Sequence, residues 1–167
     1  MRGVEYKETK IDPLEEYIKR FPTKLHKILE DSDKCTRFFE SISEEYEDIV
    51  VYRGLHREDR IDRDDFLGNL DEAELYNRSV RKATFKMCGV SVNEDPKQII
   101  KSLHIPNKKR PALGIAKGIM KSQYGPADFP DGTHHNWYLF EDKIGLASSE
   151  FEVIEVSKVC QENTGMK

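Results

Sequence analysis

The feature that most limits the possible folds is a change in hydrophobic period near residue 47. Before it, apolar residues recur three and four positions apart, as on one face of a helix, at Leu14, Tyr17, Ile18 and Phe21. After it, short runs such as residues 49–52 are rich in β-branched and aromatic side chains, which is typical of strands. Helices first and strands afterwards favour an α+β fold over alternating βαβ units.

The N-terminal part is predicted to be a layer of three helices, packed on a mainly antiparallel sheet. This layer covers residues 12–46. Pro22 ends or kinks the first helix, because proline lacks the backbone N–H that a helix interior needs. Ser32 or Asp33 is placed to cap the third helix, since both side chains can accept hydrogen bonds from a helix start.

Strands dominate the predicted remainder. The run at residues 49–52 predicts a buried strand that ends at Arg53-Gly54. The alternation in the last apolar segment slips between Val153 and Ile154, which predicts a bulge. Other strands are predicted within 83–92, 136–140 and 151–156, short helices near 71–76 and after Asp95-Pro96, and either strand or helix in 112–120.

The length of 167 residues predicts one domain. We expect that domain to span residues 12–157, with a helical layer at 12–46 and a sheet-rich core at 48–157. Residues 1–11 are predicted to be a flexible arm and residues 158–167 a tail.

Composition narrows the possible partners. The formal net charge is −4, so a strongly basic nucleic-acid binder is not favoured, although nucleic acid remains a possible partner. Cys35, Cys88 and Cys160 form no Cys-x-x-Cys pair, and no metal-ligand spacing is present, so no metal is expected. No apolar run approaches the about 18 residues that a membrane helix needs. The N-terminus lacks a secretory pattern, so we expect a cytoplasmic protein without a membrane partner.

Arg53 and Gly54 are the first candidate for a binding site. Arginine binds phosphate with a planar fork of donors, and glycine lets a ligand approach the backbone closely. The alternative is that Arg53 pairs with one of the nearby acidic residues at the sheet rim.

Ser91 and Asn93 are the second candidate. They stand two residues apart, so both side chains project from the same face of a strand and could hold a ligand. The alternative is structural, with Asn93 starting a turn and Asp95 capping the next helix.

His134 and His135 are the third candidate, at the entry to a strand after a glycine turn. Histidine titrates near neutral pH, so either ring could act as a general acid or base. Because neighbouring strand residues alternate, one ring should face the core and the other the solvent. The alternative is an ordinary turn with one hydrogen-bonded and one solvated histidine.

Three short segments resemble the ADP-ribosyltransferase superfamily. VVYRGL contains Arg53, GVSVN contains Ser91, and SSEFEVIEV contains Glu150 and Glu152. The resemblance implies NAD as the substrate and a helical layer before a split β-core. It also implies that Arg53 holds the NAD diphosphate and Ser91 positions the nicotinamide ribose. One of the two glutamates would stabilise the oxocarbenium-like centre.

The sequence leaves three functions open. The first is an NAD-using ADP-ribosyltransferase or NAD glycohydrolase, with Arg53, Ser91 and a glutamate in one cleft. The second is a non-enzymatic module that binds a protein or nucleotide partner, such as an antitoxin, an immunity protein or a phage-defence component. The third is a metal-independent, toxin-like ribonuclease, in which two histidines face each other across the sheet. Its candidate residues are His56, His134 or His135, with Lys108, Lys109 and Arg110 on the phosphates.

Overall fold

The computed structural model describes residues 13–77, 79–80, 82–103 and 112–156. Several residues and segments of the sequence predictions lie outside these ranges: residues 1–11, residues 158–167, Cys160, Lys108, Lys109 and Arg110.

Short helices make up the N-terminal layer. Asp31 caps the third of them, because its carboxylate accepts hydrogen bonds from the backbone N–H groups of Asp33 and Lys34. The prediction of Ser32 or Asp33 as that cap was therefore wrong by one position. Asp95 caps a later helix that begins with Pro96, as predicted. The α-helices of the described residues are α1 (Pro13–Lys19), α2 (Thr23–Ile28), α3 (Ser32–Ser41), α4 (Asn69–Leu75), α5 (Pro96–Ile100) and α6 (Ile144–Ser149).

The strands form one seven-stranded sheet in the order β1-β5-β6-β3-β2-β4-β7. Every neighbouring pair is antiparallel. Helices that precede such a sheet make this an α+β fold, as predicted. The strands are β1 (Ile42–Ser43), β2 (Ile49–Leu55), β3 (Val90–Asn93), β4 (Gly114–Met120), β5 (Ala127–Asp128), β6 (His134–Trp137) and β7 (Glu152–Ile154).

Strand β2 does not end at Arg53-Gly54 as predicted. It pairs with β4 as far as Leu55, which lies opposite Gly114. It is also only half buried, because Val51 is fully buried whereas the side chain of Val50 is 48% exposed. The unbroken apolar run therefore indicated a strand correctly but not its length or its burial.

Other strand predictions also need correction. The strand predicted at 136–140 begins at His134 and ends at Trp137. Within residues 83–92, a 3-10 helix at Phe85–Cys88 precedes the strand, which begins only at Val90. At β7, consecutive residues pair with consecutive residues of β4, so the slip between Val153 and Ile154 does not form a bulge. Residues 112–120, which the sequence left open, contain the strand β4.

The two faces of the sheet have different environments. Directly paired residues of antiparallel strands share a face, and alternate residues change face. One face carries Val51, Val92 and Trp137 into the main hydrophobic core and is here called the core face. The other face, which carries Tyr52, Ser91 and their partners, is called the open face.

Two hydrophobic clusters hold these layers together. The first lies under the core face, where a 3-10 helix at Arg63–Phe66 and helix α6 contribute Phe66 and Ala147. The second joins the N-terminal helices to the segment after β6, with Phe38 against Tyr138. The longest helix of the described residues is α3, with 10 residues, and no helix there is long and apolar enough to span a bilayer.

Candidate functional site

Ser91 and His134 form a hydrogen-bonded pair on the open face. They lie on the neighbouring strands β3 and β6, and Ser91 Oγ is 2.7 Å from His134 Nε2. Both residues are exposed. Two candidate residues from separate parts of the sequence are therefore in direct contact at a position that a ligand can reach.

The lowered pKa of His134 favours a role as a general base. Partial burial lowers the pKa of this ring below its usual value of 6.5, and the charge of Asp128 opposes that effect. The neutral ring is therefore the main form at neutral pH. In the tautomer that carries its proton on Nδ1, the Ser91 hydroxyl donates to Nε2, which is the arrangement of a hydroxyl and its general base.

The Arg53 side chain bridges two segments from the core face. Its Nε donates to the backbone carbonyl of Asp65 at 2.7 Å, and its Nη1 donates to the backbone carbonyl of Ser91 at 2.9 Å. Burial lowers the pKa of the guanidinium, although Glu72 and Asp65 oppose this. The hydrogen bonds of Arg53 within the described residues thus go to carbonyl oxygens rather than to a carboxylate at the rim.

Asn93 and Gly54 have structural roles here. Asn93 Oδ1 accepts a hydrogen bond from the backbone N–H of Asp95 at 2.8 Å, so its side chain forms the turn before α5. At Gly54, an added Cβ would lie 3.1 Å from the Cβ of Ala112 and 3.5 Å from Cγ2 of Ile99. The groups that approach the Gly54 backbone closely are therefore the side chains of Ala112 and Ile99, and the glycine is explained by packing.

His135 faces away from His134, as strand alternation predicted. It is only 2% exposed, and both of its ring nitrogens have partners. Nδ1 lies 2.8 Å from the Asp128 carbonyl oxygen and Nε2 lies 2.7 Å from Glu94 Oε2. These contacts connect β6 to β5 and to the residue that follows β3, so both ring nitrogens are used within the protein.

The structure does not bring Glu150 or Glu152 to the Ser91–His134 pair. Glu152 lies on β7, and strands β4 and β2 separate β7 from β3. Glu150 accepts hydrogen bonds from the Tyr124 hydroxyl at 2.7 Å and from Lys121 Nζ at 3.2 Å. The Tyr124 hydroxyl, followed by Lys121, lowers the pKa of this carboxyl.

The sequence predictions did not include a buried polar cluster next to Arg53, which is formed by Asp65, His56 and Glu72. The carboxylate of Asp65 is fully buried and accepts from the backbone N–H groups of His56, at 2.7 Å, and Asp62, at 2.8 Å. The spacing of Asp62 and Asp65 is that of a capping box, which the sequence could have revealed.

His56 belongs to the same cluster. Its Nε2 lies 2.8 Å from Glu72 Oε2, and its Nδ1 is buried without a hydrogen-bond partner among the described residues. His56 therefore faces Glu72, and His134 faces Ser91. The ribonuclease hypothesis expected two histidines to face each other across the sheet, and His56 and His134 do not.

Together these contacts place Arg53, Ser91 and His134 on the three neighbouring strands β2, β3 and β6. The open face offers a hydroxyl and a neutral imidazole there, and Arg53 supports β3 from the core face. The sequence matches no protein-family model, and neither a curated protein nor a solved structure is significantly similar to the chain.

Proposed function

We propose that this protein uses NAD as a substrate, as an ADP-ribosyltransferase or NAD glycohydrolase, and that its site lies where β2, β3 and β6 meet. In this proposal Arg53, whose side chain lies on the core face, fixes the strand that presents Ser91 instead of binding the diphosphate as the resemblance implied. Ser91 positions the nicotinamide ribose, and His134 lies beside the reacting carbon. The partner of the protein is then a nucleotide, with an acceptor still to be identified.

The contact between Ser91 Oγ and His134 Nε2 on the open face is the observation that carries the proposal. The resemblance also expects an arginine and a serine from separate segments to come together. These residues are 38 positions apart in sequence, yet they lie on adjacent strands and are in contact. Arg53 therefore holds β3 so that the Ser91 hydroxyl is presented on the opposite face of the sheet.

His134 takes the place beside Ser91 that the resemblance gave to a glutamate. In the reaction, the bond between the ribose C1′ and the nicotinamide nitrogen breaks, and nicotinamide leaves as a neutral molecule with the bonding electron pair. A hydroxyl oxygen of water or of an acceptor forms the new bond to C1′. The neutral ring of His134 accepts the proton that this hydroxyl loses, as a general base does.

The test is release of nicotinamide from NAD by the purified protein, with and without a cell extract as a source of acceptors. Ser91→Ala and His134→Gln should each reduce release by roughly a hundredfold, the usual effect of removing a general base or a positioning group. Glu152→Gln, on β7 beyond β2 and β4, and Ser149→Ala, at the end of α6, are the controls and should retain release. No release by the wild-type protein under either condition would contradict the proposal.

A further inference from the structure

A pocket that does not include Ser91 or His134 lies between the N-terminal helices and the loop after β6. It has a volume of about 490 Å³ and opens to solvent. Its walls come from the end of α1, the loop after β1, a 3-10 helix at Ser122–Tyr124 and the start of the loop that follows β6. The lining residues are Tyr17, Arg20, Glu44, Glu45, Ser122, Gln123 and Phe140.

The floor of this pocket is held rigidly. Phe140 is only 3% exposed and contacts Tyr17 edge to face, with ring centroids 5.5 Å apart. The backbone N–H of Phe140 donates to the Tyr124 carbonyl at 2.9 Å, and that of Glu141 donates to the Arg20 carbonyl at 2.7 Å. The pocket is therefore formed before any ligand arrives, which reduces the entropic cost of binding.

Arg20 provides a cation in a fixed orientation. Its guanidinium carbon lies 3.6 Å from the centroid of the Phe140 ring. Stacking of this kind leaves the N–H groups at the edge of the guanidinium plane accessible. There they can bind a carboxylate through two parallel hydrogen bonds. No carboxylate of the described residues is within salt-bridge distance of Arg20, so this capacity is unused among those residues.

Glu44 and Glu45 place negative charge on the same pocket. Both are exposed, and the charges of Glu44 and Arg20 both act on the Tyr17 hydroxyl. Burial, followed by the charge of Glu44, raises the pKa of Tyr17, so this hydroxyl remains a hydrogen-bond donor. Two carboxylates repel a phosphate chain, so the pocket suits a ligand that carries both a negative and a positive group.

We propose that this pocket binds a small zwitterion, a free α-amino acid or a short peptide, with its carboxylate on Arg20 and its ammonium group facing Glu44 and Glu45. The partly buried ring of Tyr17, packed against Phe140, contacts the apolar part of the ligand. The proposal is independent of NAD chemistry, because none of these residues belongs to the Ser91–His134 site.

Isothermal titration calorimetry with each of the proteinogenic L-amino acids and with glycylglycine tests the inference. The best ligand is then compared with its N-acetyl and carboxamide derivatives, which lack the positive and the negative group respectively. Both derivatives should bind at least roughly tenfold more weakly than the zwitterion, since each loses one charged contact. Binding of free amino acids identifies a metabolite site, whereas binding of glycylglycine alone identifies a peptide site.

Variants distinguish this pocket from the rest of the surface. Arg20→Gln and the double variant Glu44→Gln/Glu45→Gln should each weaken binding by roughly tenfold, with the fold checked by circular dichroism. Arg37→Gln is the control, because Arg37 is an exposed arginine on α3 that pairs with Asp33. The inference is overturned if no zwitterion binds, if the N-acetyl derivative binds as well as its parent, or if the pocket variants bind like Arg37→Gln.

Discussion

The side chain of Arg53 holds the backbone of Ser91, although the two side chains point to opposite faces of the sheet. Tyr52 pairs with Asn93, so the residues that alternate with them, Arg53 and Val92, share the core face, whereas Ser91 lies on the open face. Arg53 therefore fixes the strand that presents the Ser91 hydroxyl, while that hydroxyl remains available to solvent and to His134.

The first prediction concerns the structural part of the Arg53 role. Arg53→Lys keeps the positive charge but loses the fork that reaches both the Asp65 and the Ser91 carbonyls. We expect the free energy of unfolding to fall by about 2 kcal/mol, because one partly buried carbonyl loses its donor. Urea unfolding measures the change. Arg37→Lys, at an exposed helix position, should change stability by less than about 0.5 kcal/mol, and equal effects of the two substitutions would contradict the bridging role.

The second prediction concerns the pH dependence of stability. The pKa of His134 is lower in the folded protein than its usual value of 6.5, so the unfolded chain binds more protons between these two values. The free energy of unfolding should therefore rise with pH through that window, with the contribution of His134 complete above pH 6.5 and lost as the pH falls through the lowered pKa.

His134→Gln should remove this part of the pH dependence and leave the stability near pH 8 almost unchanged. The measurement is a series of urea unfolding curves from about pH 5 to about pH 8. Ser149→Ala, which changes no titrating group, serves as the control. A wild-type stability that falls with increasing pH through this window, with no such fall in His134→Gln, would show that the folded-state pKa is raised instead.

The sequence predicted the order of elements better than their ends. The period change identified the helical layer and the sheet, and Asp95-Pro96 located a helix start correctly, because these signals are local. The end of β2 was misplaced because its pairing with β4 overrides the turn preference of Gly54. Helix α6 was missed, since Ile144 and Ala147 are the only two apolar residues that it buries.

The sequence likewise predicted only part of the candidate site. Strand alternation was enough to predict that His134 and His135 face opposite ways. Sequence alone could not say which strand lies beside β3, and this choice decides whether a glutamate of β7 or a histidine of β6 meets Ser91. The His56–Glu72 contact likewise joins residues 16 positions apart, across a segment that contains a 3-10 helix and the start of α4, and no local pattern predicts how that segment folds back.

The third prediction uses two glycines in opposite environments. An added Cβ at Gly118 would lie 2.4 Å from the Phe151 ring, whereas at Gly145 it would meet no atom within 4 Å. Gly118→Ala should lower the free energy of unfolding by about 2 kcal/mol, because the buried ring has to move. Gly145→Ala should raise it by up to about 1 kcal/mol, since alanine favours the helix α6. Thermal unfolding reports both changes, and the same sign for both would contradict the packing described here.

The last prediction tests the buried carboxylate that supports Arg53. Asp65 accepts hydrogen bonds from the backbone N–H groups of both His56 and Asp62, one at each carboxylate oxygen. Asp65→Asn has nearly the same shape but turns one acceptor into a donor, so one N–H group then faces another. We expect a loss of about 2 to 3 kcal/mol in the free energy of unfolding, as for a buried charge-assisted hydrogen bond. The exposed Asp59→Asn serves as the control. A stability of Asp65→Asn equal to that control would mean that the two backbone groups are satisfied in another way, and Arg53 would then lack the fixed support from which it reaches Ser91.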